Sequence, residues 1–173
     1  LGFGSFPQQG DFPQYPAILE NNGDGTFSVV EIKNQTSKFI GPMVAEFADF
    51  NKDGKLDIFI GASGRDADPF PGGQNTILMS NPDGTYTDSP ELLPQINNFT
   101  HDATVGDING DGYPDIYASN VSTFPGQEGK GTLPQLLLSQ NGPTFDSVNL
   151  EGTLFDSSII KTVDGVGKHG NFY

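Results

Sequence analysis

Two stretches of the chain carry oxygen-bearing side chains at alternate positions. Asp49, Asn51, Asp53 and Asp57 form the pattern D-x-N-x-D-G-x-x-D, and Asp107, Asn109, Asp111 and Asp115 form it again. Hard oxygens so spaced suit Ca2+, which takes about six to eight oxygen ligands at about 2.3–2.6 Å in adaptable geometry. Gly54 and Gly112 let the chain turn sharply, so that the first three side chains converge with a later main-chain carbonyl, from Lys55 or Tyr113. Mg2+ suits the pattern less well, because it demands strict octahedral geometry and holds its waters. Two Ca2+ sites are expected, one per loop.

Other chemistry is poorly supported. An EF-hand would place a bidentate Glu at position twelve, where this chain has Ile60 and Ala118. Plain Asx-type turns would also use Asp, Asn and Gly. However, four clustered carboxyl or amide groups repel or desolvate one another unless a cation neutralises them. Asp24 and Asp83 lack the preceding ladder of ligands and read as hairpin-turn residues. His101 and His169 have no Ser or Cys nucleophile motif beside them. Glu20, Glu46, Asp66, Asp68 and Asp102 are scattered carboxylates. No catalytic constellation emerges.

The elements that must position the acidic loops follow from a repeat. The turn signatures NGDGTF, NPDGTY and QNGPTF place Thr26, Thr85 and Thr144 at spacings of 59 (85 − 26) and 59 (144 − 85). The acidic loops recur at 58 (107 − 49). Two independent features with nearly one period imply duplicated structural units. Each unit reads as four short strands: one before the acidic loop, one after it, and two flanking the Asn/Asp-Gly turn. For one unit these begin with Val44–Ala48 and Leu56–Gly61; for the next they are Ala103–Gly106, Asp115–Ser119, Gln135–Ser139 and Thr144–Val148. Such sheets are β-propeller blades.

The expected fold is therefore all-β, about three blades of a larger propeller. Its divisions are a blade end at 1–40, blades at 41–98 and 99–155, and the start of a next blade at 156–173. Fewer blades than a closed ring needs should leave open sheet faces, with Ile58, Ile60, Ile116 and Leu137 exposed. The chain is thus expected to be a fragment completed by further blades of its parent or by a partner chain.

Composition narrows the partners. The chain has 22 acidic residues against 8 basic ones, a formal charge of −14, which disfavours nucleic acid and anionic membranes. Apolar runs such as Ile58–Ile60 fall far short of the roughly 20 residues that span a bilayer. With no Cys, disulfides and thiol chemistry are excluded. Asn34, Asn98 and Asn120 stand in N-glycosylation patterns, which matter only in a eukaryotic secretory context.

The acidic loops leading into LDIFIG and PDIYAS, together with the NNGDGTF hairpin, resemble FG-GAP/VCBS repeats, as in integrin α-subunit propellers. That resemblance implies one Ca2+ per acidic loop, between the first two strands of a blade, held by the eight Asp and Asn residues named above. The phenylalanine-glycine signature is degenerate, with Phe47-Ala48 and Val105-Gly106 in its place. The resemblance further implies a non-enzymatic binding, adhesion or assembly module on a secreted or cell-surface protein, with an extracellular protein or glycan as ligand. Two alternatives remain. One is a non-catalytic propeller within a larger extracellular enzyme that cleaves polysaccharides or phosphodiesters. The other is a sugar-binding propeller using aromatics such as Phe70 and Phe124 near the long loops 62–74 and 120–134.

Overall fold

A computed structural model describes residues 13–65, 67, 70–121 and 132–148. The carboxylates Asp66 and Asp68, Phe124, His169 and the expected start of a further blade at 156–173 lie outside the described residues. Among the described residues the chain is all-β, apart from a 3-10 turn at Pro90–Leu92. No helix there is long and apolar enough to cross a membrane.

Two successive sheets carry the fold. Strands β4 (Pro42–Ala48), β5 (Asp57–Ala62), β7 (Thr76–Ser80) and β8 (Tyr86–Asp88) form an antiparallel meander. Strands β10 (Thr100–Gly106), β11 (Asp115–Asn120), β12 (Gln135–Ser139) and β13 (Phe145–Val148) form a second. Their registers correspond: Ile58 faces Leu78 in the first sheet, and Ile116 faces Leu137 in the second. The bulges at Pro42/Val44 and Thr100/Asp102 correspond too. Before them stands a lone hairpin of β1 (Ile18–Asn21) and β2 (Phe27–Val30). Three short strands go beyond what the sequence pattern predicts. Strand β3 (Ile32–Lys33) runs parallel to β8 and makes the first sheet five-stranded, and β6 (Gly73–Gln74) pairs with β9 (Asn97–Asn98).

The middle sheet is packed on both faces, which explains why β5 is apolar without interruption. Its side chains alternate in direction. Ile58 and Ile60 join Ile18, Phe39 and Leu78 in a cluster on the side of the preceding hairpin. Phe59 and Ile77 turn the other way and pack with Phe50, Ile116, Leu137 and Phe145 of the following sheet. The Phe50 and Phe145 rings meet edge to face at 5.6 Å. Burying each such side chain contributes about 1.5–3 kcal/mol.

This corrects one expectation. Ile58, Ile60, Ile116 and Leu137 are at most 1% exposed, because neighbouring sheets cover them. Exposed apolar surface lies instead on the lone hairpin, at Leu19, Phe27 and Val29, and on Phe47, Leu56 and Ile108 near the acidic loops.

Candidate metal centre

Each acidic loop connects the first two strands of its sheet, 49–56 between β4 and β5 and 107–114 between β10 and β11. The turn is wound around its first carboxylate. In the first loop Asp49 accepts the main-chain N–H groups of Asp53 at 2.9 Å and Gly54 at 2.8 Å. In the second, Asp107 accepts those of Gly110 at 2.7 Å and Gly112 at 2.8 Å. The third-position amide oxygens, Asn51 and Asn109, accept the N–H of Asp53 at 2.9 Å and of Asp111 at 2.8 Å. Asp53 and Asp111 in turn accept the N–H of Lys55 at 2.9 Å and of Tyr113 at 2.8 Å. Gly54 and Gly112 have φ of 88° and 86°, the left-handed conformation that glycine adopts without strain.

The ninth-position residues do something different. Asp57 and Asp115 are fully buried and bridge the start of their loop to the next strand of the sheet. Asp57 accepts the N–H of Phe50 at 3.0 Å, that of Ser80 at 2.7 Å and the Ser80 hydroxyl at 2.9 Å. Asp115 accepts the N–H of Ile108 at 2.8 Å and of Ser139 at 2.9 Å. They latch each loop to the third strand of its own sheet. Burial pushes the Asp57 carboxyl above its ordinary range, against the lowering effect of the bonds from Ser80 and Phe50.

The donors fit a hard cation by type: carboxylate, amide and main-chain oxygens, with no nitrogen or sulfur ligand. Among the described residues no three carboxylates or histidines gather into one metal-holding group. A cation in either loop therefore has to draw on the Asn amide oxygen and on main-chain carbonyls as well as on carboxylates.

The remaining sequence candidates are dispersed. Asp24 and Asp83 each cap a hairpin turn, accepting the N–H and hydroxyl of Thr26 and of Thr85. Asp83 also pairs with Lys33 at 2.7 Å, and chiefly that bond holds its carboxyl well below the usual range. His101, Asp102 and Glu20 are exposed on strands, and Glu46 is half-buried on β4. Of the three sequon asparagines, Asn98 and Asn120 are buried and donate to Gln135 and Leu133, whereas Asn34 is exposed.

Sequence reasoning overlooked three kinds of residue. Ser80 and Ser139 support the latches, and their spacing of 59 (139 − 80) was a usable signal. Asp88, 4% exposed, accepts the N–H groups of Thr36 and Ser37 and the Thr76 hydroxyl, pinning the connector from the first hairpin. Nothing in the sequence marked it. Lys52 reaches out of its own loop, as described below.

The serine hydroxyls of the two latches behave differently, which yields a test. The Ser80 hydroxyl bonds Asp57, whereas the buried Ser139 hydroxyl has no partner. Ser80→Ala should therefore lower stability by about 1.5–3 kcal/mol, the worth of a bond to a charged acceptor, while Ser139→Ala should cause no loss. Denaturant titration in chelator measures both.

Residues 9–60 and 64–118 match the model of the FG-GAP-like repeat. The chain belongs to this repeat family. No curated protein and no solved structure matches it. The FG-GAP-like matches contain both acidic loops and the sheet edges that carry them. Family membership supports a propeller-like binding or adhesion module.

Proposed function

We propose that this FG-GAP-like chain is a calcium-binding segment of a secreted or cell-surface β-propeller, acting as a non-enzymatic binding, adhesion or assembly module in which Ca2+ is structural. The observation that carries this reading is the twin loop. Two sheets repeat the same oxygen pattern and curl around the first Asp through two main-chain N–H groups each. Loops of this kind with few committed carboxylates suit the millimolar calcium outside cells, where affinities of about 10⁻⁴–10⁻³ M suffice. The remaining blades of the parent, or those of a partner chain, are the expected neighbours, and an extracellular protein or glycan is the expected ligand.

Calcium should bind with a stoichiometry of two by native mass spectrometry and calorimetry. Because the cation binds only the folded chain, a hundredfold excess over Kd should add about 2.7 kcal/mol of stability per site. Asp53→Ala and Asp111→Ala should each remove one ion and leave the other. A melting temperature indifferent to both calcium and chelator would reduce the loops to plain turns.

A further inference from the structure

We infer that Lys52 couples the two acidic loops: its ammonium, carried by the first loop, stands at the second and weakens cation binding there. The inference rests on the calcium reading above.

Position 52 is unusual in its own loop. Its φ is 61°, in the left-handed region where L side chains are disfavoured, and the equivalent position of the second loop is Gly110 with φ 81°. A lysine thus occupies a site where its repeat-mate uses glycine. Its side chain crosses to the neighbouring sheet, and Nζ lies 3.7 Å from the centroid of the Tyr113 ring. Gly112 leaves room for it, since a Cβ there would meet Nζ at 2.9 Å, whereas the equivalent Gly54 has nothing within 4 Å. The packing of β4 beside β10 brings the two loops together.

Tyr113 is also the residue whose carbonyl the sequence pattern assigns to the second cation. The ring attracts the ammonium through its quadrupole, and a dication entering the same loop is repelled by it. Asn51 and Asp53, which flank Lys52, belong to the first loop's donor set. The ammonium that the first loop holds there therefore opposes filling of the second.

The test is a calcium titration of the full chain, following the amide resonances of Gly54 and Gly112 as one reporter per loop. Lys52→Met should tighten binding at the Gly112 reporter about twofold to fivefold. Lys52→Gly should do the same, separating charge from backbone strain, and Lys52→Arg should keep the wild-type affinity. The gain should shrink in 1 M salt, where the Debye length is about 3 Å. Calcium binding that is unchanged at Gly112 in both the Met and Gly variants overturns the coupling and leaves the calcium reading standing. A wild-type chain in which neither reporter responds to calcium overturns both.

Discussion

In calcium-free solution, Asp57→Ala should destabilise the chain by about 3–5 kcal/mol, seen as a lower midpoint of urea denaturation. The carboxylate is fully buried and satisfies three donors: two main-chain N–H groups, of Phe50 and Ser80, and the Ser80 hydroxyl. Alanine leaves the buried Phe50 N–H and the part-buried Ser80 N–H without acceptors, and losing the acceptor of a buried donor costs about 1–3 kcal/mol. Phe50 sits in the core between the two sheets, so loosening its backbone also disturbs the packing against Phe145. By contrast, Asp53→Ala removes an exposed carboxylate whose main-chain partner can turn to water, and should cost about 1 kcal/mol or less without calcium. The comparison separates two roles that the pattern D-x-N-x-D-G-x-x-D merges. Should Asp57→Ala prove as mild as Asp53→Ala in chelator, Asp57 would act through a metal rather than as a latch.

Gly64→Ala should cost about 3 kcal/mol or more. The chain leaves β5 through Ala62 and folds back at once, with the Ser63 N–H donating to the Gly41 carbonyl at 2.9 Å. Gly64 has φ 71° and is buried against Gly72 and Gly73. A Cβ there would enter the Gly72 carbonyl and come within 2.7 Å of the Gly73 nitrogen. Both neighbours are backbone, so neither can rotate aside. Gly84, with φ 84° but nothing within 4 Å, isolates the conformational part, and Gly84→Ala should cost only about 1–2 kcal/mol. Equal losses in thermal melts of the two variants would mean that the chain after β5 relaxes freely, and that its close packing contributes nothing.

Much of this architecture was legible because repeats and turns are local. The spacing of the Thr-containing hairpins and of the acidic loops is a one-dimensional property, and strands between turn residues follow from alternation and β-branching. The all-β blade pattern and the family's repeat were therefore determined by the sequence alone. So was the gathering of Asp49, Asn51 and Asp53 on one turn, since alternate Asp and Asn residues running into Gly54 favour a tight turn.

What the tertiary structure decided involves residues far apart in the chain. Spacing could not divide the ninth-position Asp from the rest of its loop, because Asp57 is turned inward by Ser80, 23 residues on. Nor could it reveal that Asp88 holds Thr36 and Ser37 across about fifty residues of chain, a contact without a repeat-mate. The covering of Ile58, Ile60, Ile116 and Leu137 is likewise invisible in the sequence, because periodicity shows which residues are apolar but not what covers them. That depends on the neighbouring hairpin and sheet. The reach of Lys52 to Tyr113 arises in the same way. Only the packing of β4 beside β10 brings two loops nearly sixty residues apart within the length of one lysine side chain, so charge in one can act on the other.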